Sequence, residues 1–444
     1  MAAHRYPPGP NGNWLSGNLP SFRRDMLAFF TRCAREYGDI IFFRLGPKRI
    51  YLLNHPDYIE QVLVTENRNF IKHYITRLLR PLLGDGLLTS EGEDWLRERR
   101  LVQPAFNRSR IDAYGQVMVA FTERMLNQWH DGEKRDIHAD FMRLTLEIVT
   151  RTLLNAEVAE DARDVARTLE VLMEDFLYRW ESLFPLPQWL PTARNKRRHQ
   201  GRLRLDQIVY SYIRQRRAGG EDRGDLLSML LQVHDEDGSR MTDKQLRDEV
   251  MTLYLAGHET TANALSWTWY LLAQHPEVEA KLVRELQTVL AGRAPTVADL
   301  PRLRYTDHVV WESMRLYPPV YAFGREAVRD TTIGGYLVPA GSTVILSQWN
   351  MHRSPRYFAD PEVFNPDRWA NGLAQQLPKY AYFPFGGGPR ICIGNTFALM
   401  EASLVLATVA QRFRFTLAPE PPVVPMPAVT LRPRRGIPAI LRTR

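Results

Sequence analysis

Apolar positions recur along most of this chain at helical spacing, and short apolar runs of strand length gather toward its two ends. Over 21–37, Phe22, Met26, Phe29, Phe30, Cys33 and Tyr37 share one side of a predicted helix, with Gly38 placed to end it in a left-handed backbone. Cys33 on that stripe reads as core packing. Two apolar runs, 40–45 and 50–53, flank Gly46-Pro47-Lys48-Arg49 and predict a hairpin, after which His55-Pro56 opens another helix. Helical periodicity then dominates the middle of the chain. Further strands are predicted at 331–337, 343–346, 413–417, 429–432 and 439–442. The fold class is mostly α with small β-sheets.

The longest predicted helix starts at Thr242, where Gln245 completes a capping box, and runs to His275, where Pro276 stops it. At about 1.5 Å per residue it spans roughly 50 Å and crosses a whole domain. Its middle reads Ala256-Gly257-His258-Glu259-Thr260-Thr261 between apolar flanks. An acid and two β-branched hydroxyls beside a glycine suit a helix centre poorly. That segment therefore lies on a surface or lines a polar cavity.

Composition narrows the class. The 444 residues are 44% hydrophobic and 24% charged, which describes a globular protein with an ample core. Two cysteines exclude a disulfide scaffold or a multi-thiolate zinc site and suit a reducing cytoplasm. No stretch approaches 18 uninterrupted apolar residues and the N-terminus lacks a signal-peptide core, so no transmembrane anchor is predicted. The net charge of +8 favours an acidic partner without choosing one. Nine basic residues between Pro191 and Gly219 stand against Asp206 alone, and they read as the solvated face of a helix whose apolar stripe is Leu203, Leu205, Ile208, Val209, Tyr212 and Ile213. No nucleic-acid recognition motif accompanies the positive charge.

The most informative segment is Phe385-Gly386-Gly387-Gly388-Pro389-Arg390-Ile391-Cys392-Ile393-Gly394. Its glycines let backbone approach a flat ligand, Arg390 can neutralise an acid, and Cys392 stands just before a helix predicted over 395–412. The positive end of that helix favours a thiolate. The plainer reading is a glycine turn leading to a structural cysteine.

This loop resembles the haem-thiolate loop of the cytochrome P450 superfamily, whose members ligate haem through cysteine. The resemblance covers the whole chain. It implies a P450-like fold with a long central helix over haem b, built as one catalytic domain over 1–444, with a β-rich portion at about 38–54, a helical core at about 90–320 and the haem loop at 385–394. By it, Cys392 is the iron ligand, Phe385 packs beneath the haem, Gly386 and Gly394 are cofactor-binding positions of the loop, and Arg390 pairs with a propionate. Trp95 and Arg99 match the pair that donates to a propionate, and Arg325 falls where another propionate-binding base is usual. Ala256–Thr261 is similar to the oxygen-binding segment, in which Glu259 and Thr260 relay protons toward dioxygen and Gly257 lets the helix open. Glu312, Arg315 and Arg368 match a buried structural triad, the last within Pro361-Glu362-Val363-Phe364-Asn365-Pro366-Asp367-Arg368-Trp369.

The resemblance implies a cytoplasmic, monomeric monooxygenase that inserts one oxygen atom into an apolar substrate such as a fatty acid or terpenoid. Its electrons come from a separate ferredoxin or flavodoxin-type donor with its reductase. Pro7-Pro8-Gly9-Pro10 resembles the hinge after a membrane anchor in microsomal relatives, but only six residues precede it. Tyr74, Leu78, Phe176, Trp180, Phe184, Tyr321 and Phe323 lie in stretches from which the family draws its pocket. The donor is expected to dock near Arg97, Arg99, Arg100, Arg108 and Arg110, against which stand Glu98 and Asp112. Competing readings are a peroxide-dependent or rearranging haem-thiolate enzyme, against which Glu259-Thr260 argues, and a non-enzymatic haem binder.

Overall fold

A computed structural model describes residues 6–106, 108–155, 168, 171–172, 187, 189–219, 223–235, 238–419 and 422–444. These divide into two compact units, one drawn from Met1–Tyr74, His308–Ile393 and Pro425–Arg432, the other from Ile75–Asp307, Gly394–Val424 and Pro433–Arg444. Helices dominate and the sheets are small, as the periodicity predicts.

The first unit is built on a five-stranded sheet. Its strands are, in spatial order, Ile40–Leu45, Lys48–Leu53, Thr343–Leu346, Phe323–Ala327 and Phe70–Lys72. The predicted hairpin is present, with Ile40 opposite Leu53 and Leu45 opposite Lys48, so only Gly46-Pro47 form the turn. Lys48–Leu53 then runs parallel to Thr343–Leu346. Tyr51, Leu53, Phe70, Val344 and Leu346 meet Ile59, Leu63, Met351 and Phe383 in one apolar core. The helix predicted over 21–37 is two helices, Leu19–Arg24 and Met26–Tyr37. The break is chemical: Asp25 leaves helical geometry and its carboxylate accepts from the Ala28 N–H, capping the second helix. Cys33 is buried, and burial pushes its thiol up to about 12. The strand predicted over 331–337 is a hairpin of Thr331–Ile333 and Tyr336–Val338, folded at Gly334-Gly335.

The second unit holds the long helix, which runs Asp243–Leu272 behind the predicted Thr242–Gln245 capping box. It ends before His275, and Pro276 opens the next helix rather than closing this one. The helix Ile137–Leu154 packs along it, with the hydroxyl of Thr145 donating to the His258 carbonyl at 2.9 Å. Gly257 sits at that crossing, where a Cβ would lie 2.9 Å from Val149 Cγ2. Glycine here permits close helix packing, and the helix runs unbroken through it. The basic helix spans Ala193–Gly219 and buries Leu205, Ile208, Val209 and Ile213 as expected. Leu203 is exposed, and Arg216 is buried against Asp225 at 2.6 Å instead of solvated. Helix Asn395–Arg412 has the predicted bounds, and Phe413–Leu417 continues from it into a sheet with Pro438–Thr443 and Lys134–Asp136. Among the described residues no helix is long and apolar enough to cross a membrane.

Candidate active site

The glycine loop closes on itself through backbone hydrogen bonds. Cys392 N–H donates to the Phe385 carbonyl at 3.0 Å, Ile391 N–H to the Gly388 carbonyl at 3.1 Å, and Gly386 N–H to the Phe383 carbonyl at 3.0 Å. Gly388 has φ +65°, and a Cβ there would collide with the carbonyl oxygen of Leu63. Only glycine lets the loop lie on that neighbouring backbone. Cys392 is exposed, whereas Cys33 is buried. Phe385, Gly386 and Arg390 are partly buried, and the Phe323 ring stands 3.8 Å from where a Gly386 side chain would start. Arg325, two residues along that strand, is half-buried with its guanidinium 5.0 Å from the Phe323 ring.

Behind the loop, Glu312 is fully buried and all its hydrogen bonds come from cations, an indole and backbone. Arg315 reaches both its oxygens at 2.9 Å, Arg368 Nε donates to Oε1 at 2.9 Å, Trp369 Nε1 to Oε2 at 2.9 Å and Asn365 N–H to Oε1 at 3.0 Å. Arg315 also donates to the carbonyls of His352, Pro361 and Val363. The expected triad is thus assembled with its donors satisfied. Trp369 was visible in the quoted motif without a role.

His352 is a part that spacing did not disclose. Its Nε2 accepts from Phe383 N–H at 3.0 Å, just before the glycine loop. Burial, with Arg315 and Arg353 nearby, pushes its pKa well below the ordinary histidine value, so the ring stays neutral and keeps that lone pair.

In the other unit, the long helix presents Ala256, Gly257 and Thr260 on an accessible face, while His258, Glu259 and Thr261 are buried. The segment is therefore accessible on one face and packed on the other. Thr260 Oγ1 donates to the Ala256 carbonyl at 2.6 Å. Thr261 hydrogen-bonds Glu401 on helix Asn395–Arg412, a buried acid whose pKa burial raises well above the carboxylate range. Trp95 is buried and Arg99 half-buried on helix Gly92–Val102, and Gly394 caps Asn395–Arg412.

Several expectations need amending. Arg97 is not an open docking charge: its guanidinium holds Asp235 at 2.7 Å and Ser239 at 3.1 Å. Glu98 is buried, and Arg100 is exposed. The side chains of Arg108 and Arg110 lie outside the described residues, as do Phe176, Trp180 and Phe184. Tyr321 is buried with its hydroxyl donating to the Ala428 carbonyl at 2.8 Å, the signature of packing. Tyr74 and Leu78 are exposed.

The donor chemistry fits haem. An exposed thiol at the end of a glycine loop, just before the start of helix Asn395–Arg412, suits the single thiolate by which a protein holds haem iron. Residues 7–438 match the cytochrome P450 family model. The chain is 40% identical to cyclooctat-9-en-7-ol 5-monooxygenase of Streptomyces melanosporofaciens, over 92% of each protein. It is 38% identical to cyclooctatin synthase of the same organism, over 98% of this chain and 95% of that one. Pentalenene oxygenase of Streptomyces avermitilis is 35% identical, over 98% and 97%. The expectation drawn from the cysteine loop holds: the chain belongs to the cytochrome P450 family and is a monooxygenase, an oxidoreductase that works with haem iron.

Proposed function

We propose that this monooxygenase binds haem b through Cys392 and places one oxygen atom from dioxygen on a polycyclic terpenoid, using electrons from a separate ferredoxin or flavodoxin-type donor. The observation that carries the reading is Cys392 itself, an exposed thiol at the end of a glycine loop in a chain whose other cysteine is buried. Haem held there supplies the oxygen activation. Arg390, Arg325, Trp95 and Arg99 serve its propionates, and Phe385, Gly386 and Gly394 shape the loop around it. Thr260 Oγ1, on the accessible helix face, hands on a proton after releasing the Ala256 carbonyl, and Glu259 recharges it. The terpenoid class rests on the relatives named for cyclooctatin and pentalenene. The enzyme works as a cytoplasmic monomer.

The test is a spectral titration of the purified holoprotein with di- and sesquiterpene alcohols and hydrocarbons, followed by turnover under labelled dioxygen. The reading expects a shift of the haem band and one labelled oxygen in the product. Label arriving only from water, or a response to fatty acids alone, contradicts it.

A further inference from the structure

The first unit carries an apolar turn that its own fold holds out into water. Trp14 and Leu15 are 81% and 68% exposed. Their turn is not a loose end: Asn13 and Gly17 exchange backbone hydrogen bonds at 2.9 Å, and Asn13 Oδ1 accepts from Leu15 N–H at 2.9 Å. The turn is tied in turn to the hairpin. Asn18 N–H donates to the Arg44 carbonyl at 2.7 Å, Gly46 N–H to the Ser16 carbonyl at 2.9 Å, and Arg44 Nη2 to the Trp14 carbonyl at 2.8 Å. Tyr6, also exposed, stacks on Phe42 of the same hairpin at 4.2 Å.

The charge on the turn and its hairpin is of one sign, with acids only at their edges, Asp25, Asp39 and Asp57. Arg23, Arg24, Arg44, Lys48 and Arg49 are all exposed, and 6–24 and 40–56 contain no Asp or Glu. None of these five cations forms an ion pair among the described residues. Lys48 Nζ lies 5.4 Å from the ring centre of Tyr74, itself partly exposed. A surface built only for solubility would intersperse acids and spare the tryptophan.

We propose that the Trp14–Leu15 turn is a docking surface for an anionic lipid bilayer. The indole and the leucine enter the boundary between headgroups and acyl chains, where tryptophan is favoured because its ring is amphipathic. The five cations stay at the level of the lipid phosphates. Each cation near such a surface strengthens partitioning by about fivefold at physiological salt, which multiplies the weak hold of two apolar side chains into useful binding. An acidic protein would answer the charge equally well. Bilayer is the better match because two neighbouring large apolar side chains stand out into water beside Arg44, on a turn that the fold holds in place. The attachment requires no membrane-spanning helix, and it is independent of the terpenoid reading.

The experiment is co-sedimentation of the full-length holoprotein with vesicles of phosphatidylcholine alone and of phosphatidylcholine with about 30% phosphatidylglycerol. The expected result is binding to the anionic vesicles, weakened by salt, and little to the neutral ones. Trp14→Ala/Leu15→Ala and Lys48→Glu/Arg49→Glu should each weaken it by about tenfold or more while haem content and the carbon monoxide spectrum stay as in the parent. No binding to anionic vesicles overturns the proposal, as does binding that both variants retain. Variants that lose affinity for an acidic ferredoxin yet sediment with vesicles as the parent does overturn it in favour of a protein partner.

Discussion

Arg315 grips Glu312 with two hydrogen bonds of 2.9 Å, Nε on Oε2 and Nη2 on Oε1, one helical turn apart and with neither side chain reaching water. A charge pair so deep is stable only because every remaining valence is filled by Arg368, Trp369, Asn365 and three backbone carbonyls. Removing one partner is therefore worse than removing a surface pair. Glu312→Ala should cost about 3 to 5 kcal/mol, since it strands buried guanidinium and indole donors. Denaturant titration of the purified variant checks this, and Glu312→Gln should recover part of the loss.

Thr260 lies on the accessible face of its helix, half-buried, with its hydroxyl bonded only to its own helix at the Ala256 carbonyl, so its replacement should spare the fold. Thr260→Ala is expected to keep haem content and stability while diverting a large share of electrons from product to hydrogen peroxide. Thr260→Ser should restore most of the coupling. The ratio of product to donor consumed measures it directly.

Asp307 yields a pH prediction. Burial, with the Glu285 carboxylate nearby, outweighs the hydrogen bond from Ser403 at 2.7 Å and raises its pKa from the usual 3.8 to about 6. The folded state then holds a proton that the unfolded chain has released, so this group's contribution is full below pH 3.8 and is lost as pH rises through 6. At about 1.4 kcal/mol per unit, the loss is about 3 kcal/mol by neutral pH. Asp307→Asn should flatten the stability profile across that window and stabilise the protein most above it, as thermal melts at a series of pH values will show.

Much of this architecture could be read from residue order alone, where one local cause determined the outcome. The Thr242–Gln245 capping box located the start of the long helix, and two apolar runs around Gly46-Pro47 located the hairpin. Tertiary causes were not legible. Asp25 splits a helix whose apolar stripe runs unbroken through it, because a cap and a helical interior use the same residues. Arg97 and Arg216 look like surface charges until Asp235 and Asp225, distant along the chain or beyond a turn, are folded against them. His352 and Thr145 act through hydrogen bonds to the backbone of distant segments, which leave no spacing to detect.

Arg97 and Arg100 should separate in their effects. Arg97 spends its charge on Asp235 within a partly buried pair, so Arg97→Ala should lower stability by about 1 to 3 kcal/mol. Arg100 is exposed, and Arg100→Glu should slow reduction by a ferredoxin at low salt, with the difference fading as salt screens it. Substrate affinity should be unchanged in Arg100→Glu. Stopped-flow reduction across a salt series resolves the two.

The account rests most heavily on Cys392 as the group that holds the iron. The carbon monoxide difference spectrum of the dithionite-reduced protein tests it, comparing the parent with Cys392→Ser. A strongly red-shifted Soret band in the parent that vanishes in the variant is the predicted result. A variant that retains the band unchanged would place the thiolate elsewhere and contradict the account.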